Sequence, residues 1–181
     1  MGQDKVWLDA GGHPLLVRVA ERLASHVAEI IVVHSPMSAP LPSLPVRFVL
    51  DHYQGIGPLG GLHAGLAATH TPWTFAVACD MPFLNPILIR YLALLRPGHD
   101  VIVPCPTGQP EPLHAFYHQR CLPAIEASLM RATPSLVSFY AAMAVRRVSR
   151  SEIAPCDPDL RSFLNLNTPE EWNAARHLAG W

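Results

Sequence analysis

The sequence predicts a three-layer, Rossmann-like α/β domain with a mainly parallel sheet. Three observations carry that expectation. Short β-branched runs alternate with segments of helical period, the pattern of a parallel sheet covered by helices. A glycine-rich loop within residues 51–66 leads from one such run into a helix. The apolar run Thr74–Ala78 stops at Cys79-Asp80, and Pro82 punctuates the turn. Ligands of open α/β sheets lie beyond the carboxyl ends of the strands. Asp80 is therefore a carboxylate placed where a metal or phosphate would be handled, although an isolated strand-Asp-x-Pro also serves as a turn cap.

Taken in order, Pro14 suits the first turn of a helix, and Leu15, Leu16, Val19, Ala20, Leu23 and Val27 follow at helical spacing. Glu29–His34 reads as a parallel strand. Pro36, Pro40, Pro42 and Pro45 then mark a stiff loop. Val46–Leu50 is a second strand, ending at Asp51. In DHYQGIGPLGGLHAGL (51–66) five glycines let the backbone approach a ligand closely, while Leu59, Leu62 and Leu66 give one apolar helix face. Such a loop offers free N–H groups to an anion or a base edge, but glycines also serve tight turns. After Asp80 the pattern predicts a helix over Pro86–Leu95, a strand over Asp100–Pro104 and a turn-rich tip at Pro106–Pro110. A strand over Pro112–Tyr117 follows, then helices over Leu122–Met130 and Ser135–Ala142 and an edge strand over Val145–Val148. Thr168, Pro169 and Glu171 form a capping box with proline at the first helical position. With no repeat or linker, residues 1–181 read as one domain.

Composition narrows the function classes. Half the residues are hydrophobic and the formal charge is −1, which points away from nucleic acid as a partner. A small anion would be held by a local site. The four cysteines form no CxxC pair, so free thiols in a cytoplasmic protein are expected. The ten histidines fall in no HExxH or HxH pattern. No signal peptide or apolar run of spanning length is present, so no membrane partner is expected.

MGQDK (1–5), the glycine-rich segment 51–66, ACDMPFL (78–84) and FLNLNTPEEW (163–172), in that order, resemble the molybdenum cofactor guanylyltransferases, within the nucleotide-diphospho-sugar-transferase-like fold. EPLHAFY (111–117) is similar to the family as well. The resemblance implies transfer of GMP from GTP to the phosphate of molybdopterin, with magnesium and loss of pyrophosphate. It implies that Asp80 is the catalytic and metal-binding carboxylate and that Lys5 offsets phosphate charge. Asp51 would serve the nucleoside, and Gly57, Pro58, Leu59 and Gly61 would form the guanine wall. Asn165, Asn167, Glu111 and His114 would face the pterin side. A protein that delivers the cofactor is a further partner the resemblance admits. Family members begin with a strand and a glycine-rich loop, so these are expected upstream of residue 1. Two other readings stay open on the residues alone: a non-catalytic nucleotide- or cofactor-binding protein, and a nucleotidyltransferase with another base or acceptor.

Overall fold

The computed structural model describes residues 12–35, 45–53 and 55–179. Its elements are α1 (Leu15–Ala24), β1 (Ile31–His34), β2 (Arg47–Leu50), α2 (Pro58–Ala68), β3 (Trp73–Val77) and α3 (Pro86–Leu94). They continue with β4 (Val101–Cys105), β5 (His114–His118), α4 (Leu122–Leu129), β6 (Val145–Ser149), α5 (Arg150–Ile153) and α6 (Pro169–Ala179). Strands β1 and β2 pair in parallel, with Ile31 opposite Arg47 and His34 opposite Leu50. A four-stranded sheet runs in the order β3-β5-β4-β6. Within it β5 is antiparallel to both β3 and β4, whereas β4 and β6 are parallel. So β3, β4 and β6 share one direction and β5 alone is reversed.

Alternation along the strands builds the three layers. Val101, Val103, Ala115 and Tyr117 face one way and bury Leu59, Leu62 and Leu66 of α2 with Ile125 and Leu129 of α4. Ile102, Phe116 and Val148 face the other way, against Val19 and Leu23 of α1, Leu88, Ile89 and Leu92 of α3 and Ile153 of α5. A smaller cluster of Leu15, Leu166 and Ala175, with Phe83 and Trp172 against it, docks α6 beside the start of α1.

Two expectations change. Residues 135–142 form turns and a short 3-10 helix, Tyr140–Ala142, in place of an α-helix. The Ser138 hydroxyl donates to the Ser135 carbonyl at 2.7 Å, and such local bonds compete with helical pairing. The run Thr74–Ala78, apolar enough to predict a strand buried in the sheet, is only half-buried where it forms β3. Every residue of β3 is half-buried and every residue of β4 is buried. Among the described residues β3 pairs only with β5 and β1 only with β2, and both strands line a common apolar groove of about 910 Å³. Among the described residues β6 stands at the edge of its sheet, as the sequence reading has it.

Candidate functional site

Because β5 is reversed, its first residue lies at the sheet edge where β3, β4 and β6 end. Beyond the end of β3, Asp80 borders the same groove as Pro58 and Gly61 of the glycine-rich stretch. One part of the site is a cavity of about 620 Å³ lined by Val33, His34, Ser35, Asp51, Gly55, Gly57, Pro58 and Gly61. Asp51 follows β2 directly, and its Oδ1 accepts the Tyr53 N–H at 2.8 Å, so one carboxylate oxygen caps the turn. Gly55 and Gly57 take φ of 78° and 82°, left-handed values that favour glycine. Gly60 is the close-approach residue: a Cβ there would sit 2.8 Å from Asp51 Oδ1 and 2.9 Å from Tyr53 Cβ. A Cβ on Gly61 would meet nothing within 4 Å.

Of the four residues expected to form a guanine wall, Gly57, Pro58 and Gly61 line this cavity. Leu59 does not. Its side chain is 1% exposed and packs in the core, because helical spacing puts it on the α2 face that carries Leu62 and Leu66. His34 and Ser35 line the cavity and were missed, although their place at the end of β1 is the same signal that marks Asp51 and Asp80. Lys5 lies outside the described residues.

The second part of the site centres on Asp80, half-buried three residues beyond β3. Its carbonyl accepts the Leu166 N–H at 3.0 Å, which brings the Asn165–Asn167 loop against the Asp80 turn. Asn165 is half-buried and Asn167 exposed. The capping box holds this loop: Glu171 Oε2 accepts the Asn167 and Thr168 N–H groups at 2.7 and 2.9 Å, and the Glu171 N–H donates to Thr168 Oγ1 at 3.1 Å.

The third part is the tip between β4 and β5. The Glu111 N–H donates to the Pro104 carbonyl at 2.9 Å, and its carbonyl accepts the His114 N–H at 3.1 Å. The Tyr117 hydroxyl donates to the Pro112 carbonyl at 2.8 Å. The Ala78 N–H donates to the Leu113 carbonyl at 3.1 Å, tying the tip to the strand that leads to Asp80. Glu111 is thus a half-buried carboxylate on a fixed backbone, and burial raises its pKa. His114 departs from the expected place on the cleft wall. It is fully buried between Phe75 and Phe163, at ring-centroid distances of 5.1 and 4.7 Å, and neither ring nitrogen has a partner. Burial lowers its pKa to about 3, so the ring is neutral.

A polar network underlies these parts. Asp157, 4% exposed, accepts the Arg161 and Ser162 N–H groups at 3.2 and 2.9 Å. Ser162 Oγ accepts the Asn85 N–H at 3.0 Å, while Asn85 caps α3 by accepting the Ile87 N–H at 2.9 Å. Among the described residues no group of three or more His, Cys, Asp or Glu side chains is placed to hold a metal.

Residues 1–150 match the family model for the MobA-like NTP transferase domain. The chain is 36% identical over 179 residues to a protein of Pelotomaculum thermopropionicum named "probable molybdenum cofactor guanylyltransferase", covering 99% of this chain and 87% of that one. It is 35% identical over 179 residues to the molybdenum cofactor guanylyltransferase of Syntrophotalea carbinolica, covering 97% and 84%. In fold it is similar to the crystal structure of molybdopterin-guanine dinucleotide biosynthesis protein A from Archaeoglobus fulgidus, with a TM-score of 0.83 and 24% identity over 99% of this chain and 92% of that one. By the family model over residues 1–150 and by relatives matched over nearly the whole chain, this chain belongs to the MobA-like NTP transferase family, among the molybdenum cofactor guanylyltransferases.

Proposed function

We infer that the chain is a GTP-dependent guanylyltransferase that moves GMP from GTP to the phosphate of molybdopterin and releases pyrophosphate. Family membership and the names of its relatives support the reaction. The observation that supports the residue assignment is that Pro58 and Gly61 of the glycine-rich stretch border one groove with Asp80, whose carbonyl in turn accepts the Leu166 N–H of the Asn165–Asn167 loop.

In this reading the cavity takes the guanosine. Gly57, Pro58 and Gly61 leave space for a flat base, and Asp51 accepts from a ribose hydroxyl or a guanine N–H with the lone pairs its Tyr53 bond leaves free. Asn165 and Asn167 present amides to the pterin, and the Glu111 carboxylate accepts from pterin N–H groups. His114 contributes packing from beneath and touches neither substrate. Lys5 neutralises phosphate charge. A triphosphate needs fixed charge and donors more than a protein nucleophile, and the acceptor phosphate is already ionised near neutral pH.

Magnesium prefers oxygen ligands and commonly takes one or two carboxylates plus substrate phosphates. A single Asp80 carboxylate at the strand end, without a three-residue cage among the described residues, fits an ion that arrives with the triphosphate. When bound it would polarise the α-phosphate and orient the leaving group. Asp80→Ala is expected to lower GMP transfer by about 10²-fold or more, the scale of losing one main source of transition-state charge stabilisation. Circular dichroism should show an unchanged fold. Near-normal turnover at saturating magnesium would remove Asp80 from the mechanism.

A further inference from the structure

We propose that Asn85, Asp157 and Ser162 form a clamp that fixes the separation of the two substrate halves, which makes Ser162 a positioning residue for the transfer step. This rests on the assignment above of Asp80 to the nucleotide half and of Asn165 and Asn167 to the pterin half. Ser162 is fully buried and sits on the turn that leads into the asparagine loop. Asn85 ends the turn that begins at Asp80 and starts α3. Two hydrogen bonds join these turns: Asn85 N–H to Ser162 Oγ at 3.0 Å, and Leu166 N–H to the Asp80 carbonyl at 3.0 Å. The path Asp80–Asn85–Ser162–Leu166 therefore closes on itself. The Asn85 side chain adds a bond from Nδ2 to the Cys156 carbonyl at 2.8 Å.

The clamp is enforced, not incidental. Leu160 holds φ at 54°, a left-handed value that is costly for a branched side chain and persists only where its surroundings dictate it. Asp157 supplies that constraint by accepting backbone N–H groups just past the strained residue. A carboxylate so deeply buried is tolerated because these donors satisfy it. Neither Asp157 nor Ser162 offers a surface to ligand.

The consequence is kinetic. Each half can bind its own substrate without the clamp, but transfer needs the acceptor phosphate in line with the α-phosphate. A misplacement of about 1 Å can cost roughly 10²-fold in rate. Ser162→Ala removes the acceptor for the Asn85 N–H, and Asp157→Asn weakens the turn beneath it. Both are expected to lower kcat with both substrates saturating by about ten- to a hundredfold. KM for molybdopterin and the GTP affinity read by titration should stay within about twofold of the wild type, since uniform binding is untouched. Asn85→Ser keeps a cap oxygen for α3 and loses the bond to Cys156, so it should show the same pattern more mildly if either buried variant fails to fold. An unchanged kcat, or a rise in KM that accounts for the whole loss, overturns the clamp. Asn165→Ala in the same assay tests the reading underneath. If it leaves KM for molybdopterin unchanged, the assignment of the halves fails, and the clamp with it. If it raises that KM while Ser162→Ala is silent, only the clamp is wrong.

Discussion

A titratable side chain acts in chemistry only where ligand or water reaches it, and His114 shows how far burial overrides residue type. The ring is neutral because its charged form would sit among Phe75 and Phe163 without a partner. In the unfolded chain the same imidazole titrates near its ordinary 6.5. Above that pH both states are neutral and the residue adds no pH dependence. Below it the unfolded chain takes up a proton that the native ring, with a pKa of about 3, refuses. Stability is therefore lost as pH falls, by about 1.4 kcal/mol per pH unit in that window. His114→Phe should abolish this slope and keep the ring contacts, and denaturant melts at acid and neutral pH measure it. The variant should also gain stability at neutral pH, of the order of 1–3 kcal/mol, because two unpartnered nitrogens disappear. An unchanged acid slope would assign the lability to other groups. The sequence could not have shown this burial: both faces of β5 are covered, so EPLHAFY carries no polar-apolar alternation to reveal which way residue 114 points.

Adjacent glycines in α2 differ in the same way at the scale of an element. Gly60 lets the helix start press on the Asp51–Tyr53 turn, whereas Gly61 opens onto the cavity. Gly60→Ala should destabilise the fold by about 1–3 kcal/mol as the turn is forced outward. Gly61→Ala should be neutral or stabilising by up to ~1 kcal/mol, the helix-propensity difference. Gly61→Leu, reaching further into the cavity, should weaken GTP binding with little loss of stability. Thermal melts and GTP titration separate the outcomes, and tight binding by Gly61→Leu would move the base elsewhere. The glycine cluster was legible in the sequence, but which glycine serves packing and which serves ligand depends on a turn that only the fold brings near. The same holds for carboxylates. Asp51 and Asp80 were readable because each follows an apolar strand, whereas Asp157 follows no strand, and its neighbour Ser162 meets Asn85 from 77 residues away. Short α5 escaped notice because one turn leaves no periodicity to detect.

Across the whole molecule, order should be graded from the centre of the larger sheet outward. Every residue of β4 and all but one of β5 are buried, while β1 and β2, paired only with each other among the described residues, are half-buried or exposed throughout. Amides of β4 and β5 should therefore exchange only through global unfolding, and those of β1 and β2 through smaller openings. Hydrogen exchange with mass detection should find residues 31–34 and 47–50 labelled well before 101–105 and 114–118. Added GTP should slow exchange at 31–35 and 51–57, because those segments border the cavity. Equal rates in both sheets would mean that the molecule opens as one unit.

The reversed direction of β5 also fixes what the far rim is for. There His118 packs edge-on to Trp73 at 5.1 Å, Arg96 lies over both Trp73 and Phe116, and Arg120 pairs with Asp100 at 3.0 Å. That rim stands a strand length away from Asp80, roughly 17 Å for five residues at ~3.4 Å each. A fluorescent reporter or surface tether attached through a single unnatural side chain in place of the exposed His70 would thus leave Asp80 and the cavity unobstructed. Immobilised molecules held by that rim would all present the cleft to solution, an orientation suited to watching nucleotide arrival one protein at a time.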